Sequence, residues 1–145
     1  GVDGLIVVDL SFPDNKNFAK LCKKNFICFV QLIAPTTTVK RMREIIKNSH
    51  EMIYMISTIS TTGSALKYSI KKIINNYNII KRIKPSKNVV IGFGITEKTI
   101  SNLRSADGLV VGSAICREIT RSLKDRQNPV TNVSKLVRKL KNKII

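Results

Sequence analysis

The sequence predicts an α/β protein built on a parallel sheet. It contains short runs that are apolar at nearly every position, starting near residues 5, 26, 52, 89 and 108, with segments of helical periodicity between them. Continuous apolar runs suit strands covered on both faces, as in a parallel sheet. Separations of about 20 to 36 residues leave room for one crossover helix between successive strands. Nothing in the chain reads as a linker, a repeat or a low-complexity tract.

The first run, Leu5 to Val8, ends in Asp9, and Pro13-Asp14-Asn15 then breaks the chain. Phe18, Leu21 and Cys22 recur at helical spacing before Asn25, and a second strand is expected from Phe26 to Ile33, stopped by Ala34-Pro35. Thr36 to Thr38 offer an N-cap for a helix carrying Val39, Met42, Ile45 and Ile46 on one face. The third strand spans Met52 to Ser57, and a polar turn follows from Thr58 to Gly63. Leu66, Ile70, Ile73, Ile74 and Tyr77 then share one helical face, opposite Lys71, Lys72, Asn75 and Asn76. Pro85 ends that region. Val89 to Ile91 is the fourth strand, Ile100 and Leu103 mark a brief helix, and Leu109 to Val111 is the fifth strand. Asn128-Pro129 reads as N-cap and first residue of a last helix, with Val130, Val133, Leu136, Val137 and Leu140 inward. Two architectures fit this order: an open doubly wound sheet, or part of a (β/α)8 barrel.

The chain has 145 residues, 26 basic against 9 acidic, for a net charge of +17. With 43% hydrophobic residues it has material for a core, which argues against disorder. The charge is spread over expected helix surfaces rather than gathered in one stripe, which argues against a specific nucleic-acid interface. No run approaches the roughly 20 apolar residues of a membrane span. The start, Gly1-Val2-Asp3-Gly4, is neither a signal peptide nor an initiator Met, so the chain reads as a piece of something longer. Cys22, Cys28 and Cys116 form no metal or disulfide pattern and are assigned to packing in a reducing, cytoplasmic setting.

Chemistry in either architecture belongs at the carboxyl ends of the strands. The fourth strand ends in Gly92-Phe93-Gly94-Ile95 and the fifth in Gly112-Ser113-Ala114-Ile115. Glycines there let backbone N–H groups approach an anion, and a short helix starting at Ser113 adds its positive end. A GxGxxG fingerprint fails, because Glu97 holds the third glycine position. Thr61-Thr62-Gly63 is a further candidate anion contact or lid. Asp9 stands where a carboxylate serves either catalysis or capping of the next turn, and the residues leave both open. Glu44, Glu51, Glu97, Glu118 and His50 are expected on the surface, and no catalytic set or metal cluster is apparent.

The ordered set GVDGLIVVDL, LIAPTT, YMIS, TTG, GFGI and ADGLVVGSAI resembles the C-terminal part of the tryptophan synthase alpha chain family, over nearly the whole length. The resemblance implies a (β/α)8 barrel, of which residues 1–145 would be one partial domain holding about strands four to eight, with the N-terminal βα units absent. It implies a lyase that cleaves indole-3-glycerol phosphate to indole and glyceraldehyde 3-phosphate in tryptophan biosynthesis, with no cofactor of its own. The expected partner is the beta chain, which carries pyridoxal phosphate, in an alpha2-beta2 heterotetramer. Carried over by motif, the phosphate would be held by Gly63, Gly94, Gly112 and Ser113. The indole pocket would be formed by Phe93, Tyr54 and Ile33 with Ile6 and Val8, and Thr62 would belong to the closing loop.

The same resemblance places the family's catalytic Glu and Asp upstream of a segment like Gly1, so no catalytic residue is assigned in this chain. Ser11 stands where the family usually has Pro, in the segment that helps meet the beta chain, and Ser60 where Gly is common. The stretch between GFGI and ADG is a residue or two short, which would trim the helix before the fifth strand. The alternative reading is a noncatalytic remnant that keeps a phosphate-binding or beta-docking surface.

Overall fold

The computed structural model of the chain describes residues 1–61, 64–67 and 69–145, with residues 58–61 and 64–67 described as backbone strands. The element order is β1 (Gly4–Leu5), α1 (Asp14–Lys24), β2 (Cys28–Phe29), β3 (Gln31–Ile33), α2 (Val39–Asn48), β4 (Met52–Ile56), β5 (Thr58–Thr61), β6 (Ser64–Lys67), α3 (Ile70–Ile83), β7 (Asn88–Gly92), a 3₁₀ turn (Ile100–Leu103), β8 (Gly108–Val110), α4 (Ser113–Lys124) and α5 (Pro129–Lys141).

β1 runs parallel to β2, and β3, β4, β7 and β8 form a four-stranded parallel sheet in that order. Only Val30 separates β2 from β3, so the strands follow one another around the sheet in chain order. An open doubly wound sheet reverses its strand order at a switch point. No reversal occurs among the described strands, which is the winding of a (β/α)8 barrel.

Alternation along the strands sorts their side chains to two faces. Ile33, Ile53, Met55, Val89 and Ile91 are almost fully buried and pack with Met42, Ile45 and Ile46 of α2, Ile73, Tyr77 and Ile80 of α3, and Ile100 and Leu103 of the 3₁₀ turn. Leu32, Tyr54, Val90 and Gly92 lie on the other face, toward the barrel interior. Ser57, almost fully buried just beyond β4, donates its backbone N–H to the Gly92 carbonyl at 2.9 Å. Its hydroxyl donates to the same carbonyl at 2.8 Å and also faces the Phe93 carbonyl.

Several elements differ from expectation. The first strand is two residues long, and Ile6 and Val8 are 49% and 72% exposed beyond its end, because β1 has a neighbour on one side only. Phe26 is no strand residue: it takes a left-handed φ of 56° after α1. The Phe26 and Ile27 N–H groups close back on the Lys23 and Cys22 carbonyls at 3.2 and 2.9 Å, a Schellman ending. The polar stretch from Thr58 is the first arm of an antiparallel hairpin, and Leu66, expected on the α3 face, lies in its second arm. Asn76, expected on the polar face, is buried and donates to the Pro35 carbonyl at 3.4 Å. Cys22 is buried, whereas Cys116 is exposed on α4 rather than packed. Val130 and Val137, expected inward, are 73% and 44% exposed, so α5 buries Leu140 and little else of that stripe. Thr38 and Asn128 do cap their helices: Thr38 accepts from the Arg41 N–H at 3.3 Å, and Asn128 accepts from Val130 and Thr131 at 2.9 and 3.2 Å.

Candidate functional site at the strand ends

A pocket of about 400 Å³ opens at the carboxyl ends of β4, β7 and β8. Tyr54 forms one wall from β4. Phe93 and Gly94 form the rim after β7, Val110 comes from β8, and Gly112 and Ser113 lead into α4. Sequence motifs far apart in the chain are thereby brought to one cleft.

Each piece has a local cause. Gly92 leaves room for Tyr54, since a Cβ at 92 would fall on the Tyr54 hydroxyl and within 2.8 Å of its ring. That glycine therefore makes way for a side chain rather than for an anion. Phe93 and Gly94 both have positive φ, 68° and 66°. Gly94 takes that conformation without cost, but Phe93 is strained there, a condition that clusters at functional sites. The turn is held by Ser57, whose side chain faces the carbonyls of Gly92 and Phe93. The result is an aromatic ring 55% exposed at the pocket rim, meeting Tyr54 edge-on at 5.8 Å between centroids.

At the other side of the pocket Gly112 is the N-cap of α4. Ile115 and Cys116 donate to its carbonyl at 2.9 and 3.2 Å, leaving the amides of Ser113 and Ala114 as the donors of the helix end. A Cβ built on Gly112 meets no atom within 4 Å. The side-chain direction of Gly112 is open space, and its φ of −110° suits any residue.

Burial pushes the Tyr54 phenol up from its usual range, so it stays neutral and protonated around pH 7. Among the described residues no carboxylate lines the pocket, and the one charged side chain that does is Arg117. A cleft with an aromatic rim, an open glycine, a helix end and a cation is furnished for an aromatic group and an anion. Among the described residues it has no carboxylate base.

Of the residues expected at the site, the structure brings together Tyr54, Phe93, Gly94, Gly112 and Ser113. Ile33 is not with them: it is fully buried in the core, paired in register with Met55 on the face opposite Tyr54. Ile6 and Val8 also lie outside the lining of this pocket, exposed beyond β1. Gly63 and Thr62 lie outside the described residues. Asp9 is exposed in the turn after β1, and His50 is on the surface. Thr96, Val110 and Arg117 line the pocket without having been singled out from sequence. Arg117 was legible in principle, since it follows Ser113 by four residues, one turn along the same helix face. Among the described residues no group of three or more His, Cys, Asp or Glu is placed to hold a metal, and no helix is long and apolar enough to cross a membrane.

Fold and pocket define a protein of the (β/α)8-barrel class with its cleft at the carboxyl ends of the strands. The family model of the tryptophan synthase alpha chain matches residues 1–145, and the chain belongs to that family. It is 63% identical over 144 residues to the tryptophan synthase alpha chain of Pelagibacter ubique, covering 99% of this chain and 54% of that protein. To the alpha chain of Aquifex aeolicus it is 36% identical over 146 residues, covering 97% and 52%. A solved structure of the tryptophan synthase a2b2 complex from Pyrococcus furiosus superposes with a TM-score of 0.78 at 31% identity, over 98% of this chain and 56% of that one. A Legionella pneumophila alpha subunit gives the same TM-score at 24% identity, over 99% and 52%, a likeness of fold. The chain spans about half the length of the curated relatives it matches.

Proposed function

We propose that this chain forms the substrate-binding side of a lyase that cleaves indole-3-glycerol phosphate to indole and glyceraldehyde 3-phosphate. Residues 1–145 make one partial barrel domain, about strands four to eight, and the βα units before them correspond to the half of the relatives that the chain does not cover. The phosphate is held by backbone N–H groups of Gly94, Gly112 and Ser113, with Gly63 completing the set and Thr62 in the closing loop. Phe93 and Tyr54 take the indole ring. The observation that carries this reading is the open direction of Gly112 beside the start of α4, on the same pocket as the exposed Phe93 ring.

The cleavage is a reverse aldol reaction. It needs a proton delivered to indole C3 and one removed from the adjacent glycerol hydroxyl as the C–C bond breaks, which is general acid/base work. Neutral Tyr54 is no base, and the Arg117 guanidinium carries donors but no acceptor. The Glu and Asp that perform these transfers belong to the barrel half upstream of a segment like Gly1, so residues 1–145 bind and orient but do not turn over. The reaction needs no cofactor. The product indole passes to a beta chain, in an alpha2-beta2 assembly that carries pyridoxal phosphate in its other subunit, and the protein works in the cytoplasm with no nucleic-acid or membrane partner.

The test is calorimetric titration with glycerol 3-phosphate. Gly112→Ala puts one methyl group into space that is empty of protein, so it should leave folding unchanged and weaken binding. Gly112→Asp adds a carboxylate next to the anion, a repulsion of about 4 kcal/mol at 4 Å near a protein surface, and should remove binding altogether. Unchanged affinity in both variants would overturn the phosphate assignment.

A further inference from the structure

We infer that Arg117 is a specificity residue for the phosphate group of the ligand, supplying the charge that the glycine backbone lacks. The inference rests on the phosphate reading of the strand-end pocket and goes beyond it. The donors expected there, at Gly94, Gly112 and Ser113, are neutral N–H groups. A phosphate monoester carries a charge of about −1.5 to −2 at pH 7. A helix end contributes only about half a charge. A site that admits the ester and rejects its uncharged counterpart is served by a full cation.

Among the described residues, Arg117 is the charged residue of this pocket. It stands on α4 one turn after Ser113, so the two side chains share a helix face, and Arg117 lines the same pocket as the residues that open the helix. The same side chain also walls a neighbouring cleft that contains Glu97, Lys98, Glu118, Arg121 and Lys143. Both carboxylates of that cleft have other partners: Glu118 is paired with Arg121 at 2.7 Å, and Glu97 with Lys139 at 2.7 Å and Lys143 at 3.8 Å. Among the described residues Arg117 takes part in no ion pair, so no internal carboxylate competes with an incoming anion. The planar guanidinium fork matches two phosphate oxygens at once, which an ammonium does not.

The purified chain is titrated with glycerol 3-phosphate at low and at moderate salt, unsubstituted and as Arg117→Ala, Arg117→Lys and Lys98→Ala. Lys98→Ala removes the same charge from the neighbouring cleft alone. Arg117→Ala should weaken binding about tenfold at low salt. Its affinity should also fall less steeply as salt rises, because one screened attraction is gone. Arg117→Lys should lie between, and Lys98→Ala should stay near the unsubstituted chain. Equal losses in Arg117→Ala and Lys98→Ala would reduce the effect to general charge and overturn the assignment. Gly112→Ala separates the two levels. If it weakens binding while Arg117→Ala does not, the phosphate site stands and the role of Arg117 falls. If the unsubstituted chain binds no glycerol 3-phosphate, or neither Gly112→Ala nor Gly112→Asp changes its affinity, the phosphate reading falls and this one with it.

Discussion

The tightest constraint at the site is steric, between Gly92 and Tyr54. Any Cβ at position 92 occupies the place of the Tyr54 hydroxyl, on strands whose hydrogen bonding leaves little room for retreat. Gly92→Ala should therefore displace the Tyr54 ring, weaken ligand binding and cost about 1–3 kcal/mol of stability, the usual scale of overpacking. Tyr54→Val should remove the obstacle, so the double variant should be more stable than the sum of the single effects allows, by about 1 kcal/mol. Urea denaturation of the four proteins measures this coupling, and strict additivity would mean that Tyr54 is not the reason for Gly92. The sequence shows GFG as two equivalent glycines, but they differ: one makes space for a side chain 38 positions away, the other adopts a left-handed turn. Local motifs were legible because the chemistry of a strand-end glycine is written in its neighbours. The complement of Gly92, the Ser57 clamp and the orientation of Ile33 depend on which strands meet, and no local pattern contains that.

At the scale of elements, the five apolar runs and their spacing gave the parallel sheet, because burial on both faces leaves a continuous mark. The β5–β6 hairpin left no such mark. Thr58-Ile59-Ser60-Thr61 is short and polar, and Leu66 stands four residues before Ile70, which imitates a helical face. A polar cluster ties the sheet to α3 at the end opposite the pocket. There Asp107 accepts the Val89 N–H at 2.9 Å at the start of β7, pairs with Lys81 of α3 at 2.9 Å, and accepts the Tyr77 hydroxyl at 3.2 Å. Burial pushes the Asp107 carboxyl up. The Lys81 hydrogen bond, the Val89 N–H, the Lys81 charge and Tyr77 together outweigh that and leave it below its usual range. A carboxyl depressed in the folded state contributes stability above its unfolded pKa, near 3.9, and loses it as pH falls through the lower folded value. Asp107→Asn should cost about 1 kcal/mol at pH 7. The gap between the two proteins in urea denaturation should close progressively below about pH 4. A gap that widened in acid would reverse the assigned sign.

At the scale of the whole molecule, the two lateral edges of the parallel strands are β1 and β8, and apolar surface gathers at both. Val2, Ile6 and Val8 are exposed beside β1. Next to β8 an apolar cleft of about 460 Å³ is lined by Ile100, Leu109, Val111, Ile115, Val137 and Ile144. A closed barrel has no strand edges, and burying apolar area of this kind is favourable. The relatives are about twice as long as the region they share with this chain, and the 63% identity to the Pelagibacter alpha chain makes that protein a fitting donor of the remaining half. Fusing the N-terminal half of the Pelagibacter protein ahead of Gly1 should therefore raise the thermal midpoint by covering both edges. It should also bring the family's Glu and Asp to the pocket of Tyr54, Phe93 and Gly112. The fusion should release indole from indole-3-glycerol phosphate, whereas the 145-residue chain alone should release none. Gly112→Asp within the fusion should abolish release while leaving the midpoint near that of the parent, because a Cβ at 112 meets no atom of this chain within 4 Å. Turnover by residues 1–145 alone would place the proton transfers on groups inside this chain. A soluble, stabilised fusion with no turnover would mean that these strand ends no longer present the substrate to a working acid/base pair, and the lyase reading would fall.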